Sequence, residues 1–309
     1  MTSAEHPLPT EKEVASYFES CSNWGRWGDD DNAGTINLIT PEKRQRAAGL
    51  VKSGRAVSLA YPLNTVGGPG NWNPAHHYLR AGAEFSVDYI GLLFHGYATT
   101  HIDALCHIFW QGKMYNGKPS SDVTTVGARS GAVDAWANGI TTRGVLIDIP
   151  RFRNEEHVTL DRPVRGWEIE AAAEQQGSPL EPGDAVLVYS GRASFYASHP
   201  EHTPGVAPTP GLHADTIPVL HRHDAALLGW DMLDARPSGY EMFDNPPRVG
   251  GPVHILGIVM MGLPLLDNAR LEPLADACAA ENRWEFLLTV NPLNVRGGTG
   301  SPVNPIAVF

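Results

Sequence analysis

Apolar positions along this chain follow two rhythms, one helical and one alternating, and the changes between them predict its elements. Residues 11–20, Glu-Lys-Glu-Val-Ala-Ser-Tyr-Phe-Glu-Ser, carry Val14, Tyr17 and Phe18 on one side of a short amphipathic helix. Thr40-Pro-Glu-Lys has the signature of an N-cap with Pro at the first helical position, so a second helix is expected from there to a stop before Gly54. Residues 57–61 open strand territory, 64–82 read as a polar, glycine-rich connection, and 86–94 as an apolar strand. Further on, 144–149, 185–189, 225–230 and 284–290 are β-rich apolar runs bounded by turn residues, with helices expected over 166–176, 216–222 and 271–282. Residues 253–261 fit either period and are read as a helix-like segment that carries His254 inward. The sum is a mixed α/β protein, a central β layer covered by helices, with residues 1–56 as an N-terminal helical extension and aromatic loop and 57–309 as the main domain.

Composition narrows the classes. The 309 residues are 42% hydrophobic and 18% charged, a globular balance, and Gly 32 with Pro 25 points to many turns and short strands. A formal net charge of −11 argues against a nucleic-acid groove or an anionic membrane surface, because both need clustered Lys and Arg. Small-molecule chemistry is the expectation. Cys21, Cys106 and Cys278 are too few and too scattered for a disulfide framework, which fits a reducing cytoplasm. The N-terminus has neither a basic start nor an apolar run, and no stretch reaches membrane-spanning length, so a soluble, unexported protein is expected.

The chemistry concentrates in His95-Gly-Tyr-Ala-Thr-Thr-His-Ile-Asp-Ala-Leu-Cys-His107, just beyond the end of the strand expected at 86–94. His101, Asp103 and His107 put two imidazoles and a carboxylate within seven positions of an apolar stretch. That donor set suits zinc, manganese or iron. The plainer reading makes the histidines core or capping residues and Asp103 the N-cap of a helix starting at Ala104. His254 and Asp267 are further candidate donors, each either a ligand or a helix cap. Trp24 and Trp27 are either walls of a substrate pocket or ordinary loop packing, Tyr115 and Asn116 either pocket or turn, and His76 and His77 either pocket or surface. Ser190-Gly-Arg192 lacks a nucleophile elbow, and Gly297-Gly-Thr-Gly300 lacks the Lys and the following helix of a phosphate cradle.

Thr100-His-Ile-Asp-Ala-Leu-Cys-His107 resembles the Thr-His-x-Asp-x-x-x-His core of the cyclase family, metal-dependent hydrolases that include bacterial kynurenine formamidase and isatin hydrolase. Residues 23–28, 34–37, 114–117 and 297–305 are similar to the longer, roughly three-hundred-residue branch of that family. The resemblance implies a cyclase-like swivelling β/β/α fold, His101 and Asp103 on a first metal, His107 as general base, and His254 and Asp267 where the family holds a second ion. Zinc is expected first and manganese second, with one or two ions. Two positions depart from the pattern: Tyr97 stands where kynurenine formamidases carry a His ligand, and Asp267 is one methylene shorter than the usual Glu. Tyr97 then orients substrate while His95 or a water fills the vacancy. The implied activity is hydrolysis of an amide, lactam or lactone of a small cyclic or aromatic substrate held near Trp24, Trp27, Tyr97, His95 and Tyr115. The alternatives are a metal-dependent lyase or dehydratase, and a non-catalytic metal-binding relative. A homo-oligomer, dimeric or larger, is also expected.

Overall fold

A computed structural model describes residues 6–206, 208–246 and 250–309. The start of the N-terminal extension, residues 1–5, lies outside the described residues. The extension begins with the helix Glu11–Ser20, closed by a reciprocal cap in which Thr10 Oγ1 accepts from Glu13 N–H and the Glu13 carboxylate accepts from Thr10 N–H. Its apolar side buries Val14 and stacks Phe18 on Trp110 at 5.0 Å between ring centroids. The second helix, Pro41–Ala48, is capped by Thr40 and stops at its C-cap Gly49, before Gly54, as expected.

Among the described residues, thirteen strands follow in chain order. β1 (Ala56–Ser58) precedes a hairpin of β2 (His76–Ala81) and β3 (Ser86–Gly91). Then come β4 (His101–Asp103), the short pair β5 (Val123–Thr124) and β6 (Gly127–Ala128), and β7 (Ile140–Asp148). β8 (Ala185–Tyr189), β9 (Leu227–Trp230), β10 (Leu265–Asp267), β11 (Glu285–Val290), β12 (Gly300–Pro302) and β13 (Ile306–Val308) complete the set. Nine of them form one mixed sheet in the order β1-β13-β11-β7-β8-β9-β10-β4-β12, parallel from β7 through β10 and antiparallel elsewhere.

The continuous apolar runs of the central strands arise because both faces are covered. Val145, Ile147, Val186, Val188 and Leu228 enter one core, while Leu146, Leu187 and Leu227 enter the other. Helices Gly166–Gln175 and Thr216–Arg222 pack on the first face and Glu272–Glu281 on the second. The N-terminal loop is tied down by backbone bonds from Asn23 to Met260 and from Thr35 to Gly262.

One expectation needs correction: part of the connection at 64–82 is strand β2. The strand expected at 86–94 is present as β3, and it pairs only with β2, in a hairpin outside the main sheet. Tyr78, Leu79, Tyr89 and Ile90 are all more than half exposed there. Among the described residues no helix is long and apolar enough to cross a membrane.

Candidate metal centre

Strand register brings the first donors together. β4 lies between β10 and β12, with His101 opposite Asp267 and Asp103 opposite Leu265. Because side chains alternate along a strand, His101 and Asp103 share one face while Ile102 fills the core behind. These residues are in the sheet itself, not beyond a strand end, and no helix starts at Ala104, so the N-cap reading of Asp103 fails.

The remaining donors arrive from elsewhere. His254 ends the short helix Pro252–His254 and leads into a π-helical turn, Ile255–Met261, a form that is uncommon outside functional sites. His95 comes from the loop after the hairpin, and His107 from the turn after β4. Asp103 is at the centre: its oxygens lie 2.9 Å from His95 Nδ1, 3.3 Å from His101 Nε2, 3.8 Å from His107 Nε2 and 3.8 Å from His254 Nε2. Asp267 Oδ2 is 3.2 Å from His254 Nε2 and 4.0 Å from His101 Nε2. Two sets of donor atoms are mutually close enough to hold an ion, His95–His101–Asp103 and Asp103–His254–Asp267.

Neither oxygen of Asp103 accepts a hydrogen bond, although both are shut off from solvent, and His95 Nδ1 is also buried without one. Nitrogens and oxygens this close but out of hydrogen-bond alignment aim their lone pairs at shared space. A buried carboxylate left so is costly unless a cation completes it. The mixture of imidazole and carboxylate suits a borderline divalent ion.

The outer contacts orient these donors. His101 Nδ1 faces the Thr99 carbonyl at 2.9 Å, His254 Nδ1 bonds the buried Asp234, and Trp230 Nε1 donates to Asp267 Oδ1 at 2.5 Å. Asn268 Nδ2 donates to the carbonyls of Gly96 and Thr99, and Arg192 donates to Asn268 Oδ1 and the Tyr97 carbonyl, so the loop carrying His95 is clamped. Glycine at 300 is required on the other side, since a Cβ there would sit 2.5 Å from the Ile102 carbonyl and 3.0 Å from His95 Cε1.

Electrostatics divides the histidines. Burial opposes charge on His254, but Asp267 and Asp234 outweigh it and hold its pKa well above the ordinary value. Burial likewise opposes charge on His101, and Asp103 and Asp267 reverse that. His107 goes the other way: burial, reinforced by His95, His254 and His101, takes it down to about 4 against the pull of Asp103. For Asp103, burial raises the pKa, yet His107, His101 and His95 bring it well below the carboxylate range. His107 also stacks on His95, with ring centroids 3.7 Å apart and planes within 2°.

His95, His101, His107, His254 and Asp267 line a cavity of about 260 Å³, together with Tyr97, Ile108, Leu233 and Arg236, and Asp103 is in contact with its histidines. His95 thus stands with the donors, whereas Tyr97 is a wall. Trp24, Trp27 and Tyr115 do not line the cavity. Trp24 packs over Gly117 and donates to the Val259 carbonyl at 2.7 Å, Trp27 stacks under the Arg26 guanidinium, and the Tyr115 hydroxyl donates to Asp31 across a ring seated on Gly262. Asn116, at positive φ, is a turn residue bonded to Gly25, and His77 pairs with Asp88 on the exposed hairpin. Sequence reasoning missed Asp234, Trp230, Arg236, Arg192 and Asn268. The available signal was Trp230-Asp-Met-Leu-Asp234, where acids interrupt a run continuous with a buried strand.

The family model for the cyclases matches residues 57–236. A crystal structure of a novel cyclase is 28% identical and covers 94% of this chain and 100% of its own, with a TM-score of 0.78. Isatin hydrolase A from Labrenzia aggregata, bound to benzyl benzoate, is 19% identical over 84% of this chain and 94% of its own, TM-score 0.57. An isatin hydrolase bound to the product analogue thioisatinate is 18% identical over 85% and 94%, TM-score 0.57; both likenesses are of fold. No curated protein matches the chain.

Proposed function

This chain belongs to the cyclase family, and on that premise we propose that it is a metal-dependent hydrolase that opens the C–N or C–O bond of a small amide, lactam or lactone. The observation that carries the reading is the Asp103 carboxylate, buried, without a hydrogen bond and ringed by four imidazoles. His101, Asp103, His254 and Asp267, with His95 in the place left by Tyr97, would hold one or two divalent ions, zinc first and manganese second; Asp103 belongs to both donor sets. Such an ion supplies Lewis acidity and a water whose pKa falls from 15.7 toward about 7.

The chain's own residues then do the following. His107 belongs to neither donor set, and its imidazole would take a proton from the attacking water and return it to the leaving nitrogen or oxygen. Asp234 fixes His254 with Nε2 toward the donors. Ile108 and Leu233 give an apolar wall for a small ring, and Tyr97 borders it. The departure at Tyr97, which favoured a non-catalytic relative, is offset by His95, and this supports turnover.

The test is metal analysis of the purified chain, followed by assays on isatin, an aryl formamide and an aryl lactone. His107→Ala should keep the metal and lose roughly a hundred- to ten-thousand-fold in turnover. Hydrolysis unaffected by that change removes His107 from the mechanism, and a chain that takes up no divalent ion removes the mechanism itself.

A further inference from the structure

The cavity lining holds a second kind of charged group, an arginine. Six described arginines are not solvent-exposed: Arg143, Arg153, Arg165, Arg192, Arg236 and Arg283. Five of them spend their guanidinium on neighbours. Arg143 meets Asp184 and Glu285, Arg153 meets Glu168, Arg165 meets Asp215, Arg192 reaches Asn268 and two carbonyls, and Arg283 donates to the Leu50 carbonyl. The Arg236 side chain, half-buried in the cavity wall, has no hydrogen bond or ion pair among the described residues. The nearest acid in sequence, Asp234, does not supply one, because its oxygens accept from Val253 N–H and engage His254 Nδ1. Its charge helps hold Asp234 ionised, but a half-buried guanidinium with no hydrogen bond or salt bridge still has its donors free, and this one borders the cavity.

The same cavity has apolar lining from Ile108 and Leu233. It therefore offers a cation-binding cluster, apolar surface and a fixed positive charge within one space. We propose that the substrate carries a second, non-reacting carboxylate, and that Arg236 holds it while the scissile carbonyl lies at the metal cluster. This rests on the hydrolytic reading and names its substrate class. A carboxylate is favoured over a phosphate because Arg236 is the one guanidinium or ammonium group among the described lining residues and balances a single negative charge. The planar fork of a guanidinium also matches the two oxygens of a carboxylate. Arg236 is in this sense a specificity-determining residue.

The probes are malonate, succinate, glutarate and adipate, each set against the monocarboxylate of the same carbon number. Binding to the metal-loaded protein is measured by calorimetry for wild type, Arg236→Ala and Arg236→Lys, with folding checked by thermal denaturation. In wild type at least one dicarboxylate should bind about ten- to a hundred-fold more tightly than its partner, the range for a hydrogen-bonded charge. That preference should disappear in Arg236→Ala and return in part in Arg236→Lys. Absence of any preference in wild type, or a preference that survives Arg236→Ala, overturns the inference. Metal content on the same samples separates the two readings. A chain that loads metal yet ignores the second carboxylate overturns this inference alone, whereas one that loads no metal overturns the hydrolytic reading and this one with it.

Discussion

Replacing Asp234 by Asn tests whether the metal centre depends on an orienting carboxylate that touches no ion. In the native site one Asp234 oxygen accepts from Val253 N–H at 2.6 Å and the other engages His254 Nδ1, leaving His254 Nε2 pointed at Asp267 and Asp103. An amide has only one acceptor oxygen. If that oxygen stays on Val253, the NH2 faces His254 Nδ1, which must give up its proton; the ring then carries hydrogen on Nε2 and is lost as a donor to the ion. Disruption of such outer partners typically weakens metal binding about ten- to a hundred-fold, or about 1.4 to 2.8 kcal/mol. If the amide turns over, His254 keeps its tautomer, but Val253 N–H is buried against another donor at a cost of about 1 to 3 kcal/mol of stability. Asp234→Asn must therefore lose in one ledger or the other. Chelator competition gives the metal affinity, and urea unfolding of the metal-free protein gives the stability. Both quantities unchanged in the variant would refute the argument, since neither orientation of the amide escapes a penalty.

His95 and Tyr97 should separate cleanly: His95→Ala should reduce metal affinity by at least tenfold in the same chelator competition, and Tyr97→Phe should leave it within twofold, because only His95 stands in a donor set. Stripping the metal with a chelator should lower the unfolding free energy, by about 2.7 kcal/mol relative to protein with free ion at a hundred times its Kd, read from urea titrations with and without added zinc. A third expectation concerns acid stability away from the centre. Burial raises the Asp215 pKa, but His213, Arg165 and the Gly166 N–H outweigh it and hold the carboxyl below its usual value. A depressed folded pKa means that the stabilisation is full above the unfolded value of about 3.9 and is lost as pH falls through the folded one. Asp215→Asn should then be less stable near neutrality and lose less between pH 5 and pH 3 than wild type, measured by denaturant unfolding across that range.

The sequence carried the donors more clearly than the means of assembling them. His101, Asp103, His107, His254 and Asp267 stood out because ionisable groups are rare in apolar runs, and the structure brings all five to one cavity wall or its centre. The sheet's central strands were equally visible, since β7, β8, β9 and β11 are long enough to show a pattern. β4, β10 and β12 have three residues each, too few for any periodicity, and pairing alone makes them strands. Trp24, Trp27 and Tyr115 drew attention through size, which serves a packed loop as well as a binding site; a local pattern cannot distinguish the two. Asp234 and Arg236 escaped because their significance is relational. One orients a histidine twenty residues away, and the other is notable only for lacking the partner that its counterparts have.

Sheet pairing, not loop conformation, fixes the heart of this site. A shift of β4 by one residue would exchange His101 and Asp103 for Ile102 on the cavity face and drive two polar side chains into the core that Ile102 now occupies. The neighbours guard against that slip from both sides, with Asp267 opposite His101 across β10 and Gly300 admitting His95 across β12. The glycine-rich tail, unpromising as a phosphate cradle, thereby acquires a physical role: Thr299 accepts from Ala104 N–H through its carbonyl and meets His95 Nε2 at 3.1 Å through its hydroxyl. Donors contributed by the first and last thirds of the chain can consequently be held in register before any ion binds. Such prior placement leaves the carboxylate of Asp103 buried and unsatisfied in the metal-free chain, so the free energy released when a cation enters is set by the sheet that denied Asp103 any other partner.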